Sequence, residues 1–236
     1  MATKDKKSII DAMFSVGAHF GMNKARRHPS AKQYVFGIKN NIEVFDLEKT
    51  EVALEKAKTL VAAVAASGKQ ALFVAGKSEA ISAVKSAAAK AGQPVVGGRW
   101  IGGTLTNFTQ IRKRIEKYEN RLKEKEKGEL AKYTKKERLL IDREIAKLEF
   151  LFGGIVSMKD KPGILIVVDP KKEFTAVEEA NQIGVPVVAI ASSDCNFSLV
   201  KVAIPANDSS ASSISFFLDE LARAYTEGKV SKPEIK

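Results

Sequence analysis

The stretch ALFVAGKSEAISAVKSAAAKAGQPVV, residues 71–96, decides the fold. It opens with five apolar residues, continues as an alanine-rich segment with helical periodicity over 78–92 that Gly92 stops, and ends in the apolar PVV of 94–96. Apolar runs this short and continuous suit strands buried on both faces, and the helix between them makes a βαβ unit of a parallel sheet. The same grammar recurs downstream. ILIVVD (164–169) and PVVAIA (186–191) read as further buried strands, separated by a helical segment at 172–184 that Gly184 closes. The prediction is an α/β protein with a parallel sheet sandwiched by helices.

Upstream, YVFGI (34–38) and IEVFD (42–46) alternate in polarity around Lys39, Asn40 and Asn41, whose asparagines tolerate a left-handed turn. They predict a hairpin at the edge of the sheet. Residues 48–67 read as a long helix, and 209–227 as a closing helix that starts in a serine cluster. Residues 107–150 differ from the rest. Phe108, Ile111, Ile115, Tyr118 and Leu122 recur at heptad spacing, as do Ile141, Ile145, Leu148 and Phe152, with the polar KEKEKGELAKYT between them. The expectation is an inserted antiparallel coiled-coil hairpin at 107–150, with 1–106 and 151–236 forming the sheet domain.

The charge follows this division. The net charge is +11. Residues 1–40 hold eight Lys/Arg against two acids, and 107–150 hold fourteen against nine, while the remainder holds seventeen of each. A neutral body with a basic N-terminal arm and a basic hairpin points to a polyanionic partner. The longest apolar runs are far short of a membrane span, and Cys195 is the sole cysteine, which together predict a cytoplasmic protein without disulfides.

Catalytic apparatus is not visible. Ala75-Gly76-Lys77-Ser78 has the tail of a phosphate-binding loop, but Ala71 stands where the first glycine is required, and no G-x-G-x-x-G occurs. His19 and His28 lie among cations, and with one distant cysteine they make no zinc set. No cofactor, metal or small-molecule substrate is expected. The competing reading is a small-molecule or nucleotide-binding enzyme on the same fold, using the strand ends near Gly76, Asp169 and Ser192.

Two surfaces suit RNA. In the arm, cations are interleaved with His28, Tyr34 and Phe36, although Tyr34 and Phe36 also fit packing on an edge strand, and packing is the expectation for Phe36. In GGRWIGGTLTNF (97–108), two glycine pairs flank Arg99 and Trp100, and fit either close backbone approach to a ligand or hinges beneath the hairpin. The expected RNA contacts are Arg26, Arg27, Lys32, Lys39, Arg99, Trp100, Arg112, Lys135 and Lys136.

Several blocks together resemble small-subunit ribosomal protein two of the bacterial type. They are GAHFG (17–21), FGIKNNIEVFDLEKT (36–50), LFVAGK (72–77), RWIGGTLTNF (99–108), TKKERLLIDREIAKLE (134–149), GGIVSMKDKPGILIVVD (153–169), EAN followed by GVPVVAIASSD (within 179–194) and IPANDSSASSI (204–214), in family order over almost the whole chain. The resemblance implies a flavodoxin-like domain with a coiled-coil hairpin after its third parallel strand. It further implies a place on the solvent side of the small ribosomal subunit, rRNA contacts, neighbouring ribosomal proteins, and docking of ribosomal protein one. The chain departs from the family pattern in two places that matter below. An aromatic residue followed by Asn-Pro-Lys is Arg27-His28-Pro29-Ser30 here, and an Arg-Asn-Gly-(Ile/Val)-His turn is Lys39-Asn40-Asn41-Ile42-Glu43.

Overall fold

The computed structural model describes residues 2–230, and the side chains of 9–130 and 133–230. Five parallel strands, β4 (Ala71–Ala75), β5 (Val95–Gly97), β6 (Ile164–Val168), β7 (Val187–Ala191) and β8 (Val202–Pro205), lie in the order β5-β4-β6-β7-β8. Every residue of β4, β6 and β7 is buried, which is why these strands read as unbroken apolar runs.

Alternate strand residues feed two cores. Phe73, Ile164, Ile166, Val188 and Ile190 pack against α2 (Leu47–Ala66), α3 (Ser78–Ala91) and α7 (Ala211–Val230). Leu72, Val74, Leu165, Val167 and Ala189 face α4 (Phe108–Glu126), α5 (Lys135–Phe152) and α6 (Phe174–Gln182) on the other side. Asp46 caps α2 by accepting the Glu48 amide at 3.1 Å, and Gly92 ends α3 at φ +63°. The strand order reverses between β4 and β6, so the crevice of the sheet opens at their carboxyl ends.

The predicted hairpin forms, but away from the parallel sheet. β2 (Val35–Lys39) and β3 (Ile42–Phe45) turn through Asn40 and Asn41 at φ +50° and +63°, and β3 pairs on its other side with β1 (Phe20–Asn23). The result is a separate three-stranded antiparallel sheet. An alternating segment has one polar face and cannot supply the two-sided burial that the parallel sheet demands. The sequence reading also missed β1, β8 and the N-terminal helix α1 (Ala2–Ser15).

The segment containing α4 and α5 follows β5, the second strand of the parallel sheet in chain order, not the third. Gly128, at φ +71°, turns the chain after α4, and a capping box of Thr134 and Glu137 starts α5. Of the nine heptad positions, Ile111, Ile115, Tyr118, Ile145, Leu148 and Phe152 are buried and Phe108, Leu122 and Ile141 half-buried, and they share one cluster with Leu72 and Val74 of β4. The apolar seam is therefore continuous with the core of the sheet. Ion pairs of Lys117 with Glu144 and of Lys125 with Asp142 run along the two helices.

Helices α2 and α7 pass close together at Gly228. A Cβ there would stand 2.5 Å from the Ala62 carbonyl oxygen and 2.7 Å from its Cα, both backbone atoms that cannot rotate away. Gly228→Ala is expected to destabilise the fold by about 1–3 kcal/mol despite the better helix propensity of alanine, and to lower Tm in a thermal melt accordingly.

Candidate nucleic-acid interface

The basic arm is fastened to the carboxyl end of the parallel sheet. Ser193, beyond β7, accepts the His28 amide on its carbonyl at 2.8 Å and the Met22 amide on its hydroxyl at 3.0 Å, while Ser30 Oγ accepts the Phe197 amide at 3.0 Å. With its backbone fixed, the arm turns Arg26, Lys32 and Lys39 to solvent. Arg27 does something different. Its guanidinium donates to Glu43 Oε1 at 3.1 Å, and Glu43 is fully buried on β3. The two stretches noted above as departing from the family pattern thus meet through the Arg27–Glu43 ion pair. Phe36 overturns its expected packing, since it is 81% exposed on β2.

The loop 99–107 is organised by a residue that had no individual role in the sequence reading. Glu179, buried on α6, accepts the Trp100 indole N–H at 3.1 Å and the Gly103 amide at 2.7 Å through Oε1. Its Oε2 accepts the Leu105 and Thr106 amides at 2.9 and 3.1 Å and the Thr106 hydroxyl at 3.2 Å. Burial works against its charged form, but the donors of Trp100, Leu105, Gly103 and Thr106 outweigh it and hold the carboxyl below the usual glutamate range. Trp100, expected to meet RNA, is instead a core side chain, 9% exposed, with its polar edge turned inward. A large ring beside glycines carries no local mark of which way it faces. Arg99, its neighbour, is exposed.

Of the α4–α5 cations, Lys135 and Lys136 are exposed in the first turn of α5. Arg112 is half-buried and donates toward the carbonyls of Val156 and Met158 at 3.3 and 3.5 Å, with Glu116 and Glu119 close by. It ties α4 to the chain that leads into β6. The nine predicted contacts accordingly divide into six outward-facing cations, two cations, Arg27 and Arg112, that brace the structure, and the buried Trp100.

The crevice at the strand ends brings Gly76 and Asp169 together, as the enzyme reading requires, but fills the space with side chains. Lys77 Nζ lies 2.8 Å from Asp169 Oδ2 and 2.9 Å from Asp208 Oδ2. Asp169, at φ +61°, also accepts the Lys171 and Lys172 amides at 3.1 and 3.2 Å. Asp169, Cys195 and Asp208 bring three ligand-type atoms within 4.8 Å of one another, and the cation on the two carboxylates is the Lys77 ammonium. Burial pushes the Asp208 carboxyl up and the Cys195 thiol up, leaving that sulfur a protonated, inert group. Above Gly76, a Cβ would stand within van der Waals overlap of Glu173 Oε1, and burial pushes this carboxyl up as well. A phosphate approaching the Gly76 turn would meet a carboxylate at van der Waals contact, the reverse of a phosphate cradle.

Fold and surfaces together define a doubly wound α/β scaffold whose crevice is closed by its own side chains and whose six outward-facing candidate RNA-contact cations lie on an arm, a glycine loop and a helix pair. The sequence profile of ribosomal protein S2 matches residues 13–228, and the chain belongs to that family. It is 42% identical over 217 residues to the small ribosomal subunit protein uS2 of Sulfurimonas denitrificans, covering 92% of this chain and 84% of that one. The uS2 of a Roseiflexus species is 40% identical over 225 residues (95% and 86%), and that of Coprothermobacter proteolyticus 39% over 235 residues (100% and 86%). The family is one of structural ribosomal proteins, and the enzyme reading finds no support in it. No helix among the described residues is long and apolar enough to cross a membrane.

Proposed function

We propose that this protein is a structural constituent of the small ribosomal subunit, holding rRNA and neighbouring ribosomal proteins, ribosomal protein one among them, in the cytoplasm. The observation that carries the reading is family membership over residues 13–228. The strand order supports the flavodoxin-like description of a sheet domain at 1–106 and 151–236. The heptad seams and the ion pairs along α4 and α5 support reading 107–150 as an antiparallel coiled-coil arm inserted in it. Arg26, Lys32, Lys39, Arg99, Lys135 and Lys136 are the cations placed to neutralise phosphates, and Arg27 and Arg112 hold their supports in position.

Phosphate neutralisation makes binding salt-dependent, with a slope of about 0.7 per contact on single strands and about 0.9 on a B-form duplex. Changing Arg26, Lys39, Lys135 and Lys136 to glutamine removes only exposed charge. It is expected to leave Tm unchanged and to reduce the slope of log K against log salt for small-subunit rRNA by up to about 3.5 units. In sucrose gradients of cell extract the wild-type protein should co-sediment with small subunits and loosen at high salt. Finding it at the top of the gradient at every salt concentration overturns the proposal.

A further inference from the structure

Between the glycine loop and the α4–α5 pair lies a cavity of about 860 Å³ that none of the expected RNA contacts lines. Three cations converge on it: Arg114 from α4, and Arg143 and Lys147 one turn apart on α5. All three are exposed, and none is in an ion pair among the described residues. One acid, Glu144, is in the wall, and it is already paired with Lys117 and Arg121. The excess positive charge of the wall is therefore not neutralised from within.

The floor is apolar, made by Ile101, Ile111, Leu148, Leu151 and Phe152, and the glycine loop closes the side opposite the cations. Gly102 borders the cavity, and a Cβ built there meets nothing within 4 Å, so main-chain atoms face open space. Gly103 stands beside it at φ +89°, fixed by the hydrogen bond that its backbone N–H donates to Glu179 Oε1. The 19-residue helix α4 begins at this cavity, with Asn107 making no side-chain cap bond and no acid in the first turn. A first turn left uncapped at the mouth of a cationic cavity adds its dipole to the same field.

We infer that this cavity seats a stretch of rRNA sugar-phosphate backbone, with Arg114, Arg143 and Lys147 on the phosphates and Gly102 admitting close approach of the strand. The inference rests on the ribosomal reading above and adds to it a specific seat. Arginine forks match phosphate oxygens in pairs, and the glycine leaves room for a ribose to pass against main chain. The helix pair thereby binds RNA at its root, where α4 and α5 share the core of the sheet, so the seat is rigidly placed relative to the body.

The test is filter binding of the full chain to transcribed small-subunit rRNA from 50 to 300 mM KCl. The variants are Arg114→Gln/Arg143→Gln/Lys147→Gln, a charge-matched control Lys56→Gln/Lys69→Gln/Lys229→Gln, and Gly102→Val, which alters shape without charge. The cavity variant is expected to bind about tenfold or more weakly at 150 mM and to lose roughly two to three units of salt slope. Gly102→Val should weaken binding with the slope retained, and the control should stay within about twofold of wild type. Equal losses in the cavity and control variants, or none in either, overturn the inference while leaving the ribosomal reading intact. Failure of the wild-type chain itself to bind rRNA sinks the reading beneath it.

Discussion

Glu179→Ala is expected to destabilise the protein by about 3–5 kcal/mol, a large share of the stability of an ordinary domain. One buried carboxylate accepts the Trp100 indole, the Thr106 hydroxyl and the amides of Gly103, Leu105 and Thr106, and alanine leaves all of these donors facing an apolar gap. Each buried donor without a partner costs on the order of 1–3 kcal/mol, reduced wherever water enters. The glycine loop and the start of α4 should lose order together, seen as faster amide exchange at 101–111 and a changed tryptophan emission, since Trp100 is the only tryptophan.

The pH dependence has a definite sign. The folded carboxyl of Glu179 titrates below its unfolded value, so its contribution is present above about pH 4.3 and is lost as pH falls through the lower folded value. The stability gap between wild type and Glu179→Ala should be constant through neutral pH and narrow in acid. A gap of under about 1 kcal/mol in urea melts at pH 7 contradicts the assignment of Glu179 as the anchor of the loop.

Lys77→Met is the second large effect, again about 3–5 kcal/mol at pH 7, because it removes the cation from two buried carboxylates without removing the carboxylates. Burial already pushes the Asp208 carboxyl up, and without Lys77 both Asp169 and Asp208 titrate above their unfolded values. Groups raised in this way contribute stability below the unfolded carboxyl range and lose it as pH rises through the folded values. The deficit of Lys77→Met should therefore be small near pH 4 and grow toward neutrality. Adding Asp208→Asn to Lys77→Met should recover part of it. A Lys77→Met protein that melts with wild type at pH 7 refutes the internal ion-pair role.

Much of the architecture was legible in the sequence. The continuous apolar runs at 71–75, 164–168 and 187–191, the helices between them, the turn at Asn40–Asn41 and the heptad seams at 111–118 and 145–152 were all set by local periodicity and backbone preference. The two basic segments were equally plain, because charge is counted and not packed. Tertiary structure alone decided which polar atoms meet. Trp100 and Glu179 are 79 positions apart, Lys77 and Asp208 131, and nothing in the periodicity around any of them marks a partner. The same holds for the burial of Trp100, the exposure of Phe36 and the joining of Arg27 to Glu43. A pattern of hydrophobicity fixes which side of its own helix or strand a residue occupies. Whether that side meets solvent, core or an opposite charge depends on how the elements are stacked, and that is settled only when the sheet closes its crevice with Lys77 and docks the arm upon Ser193.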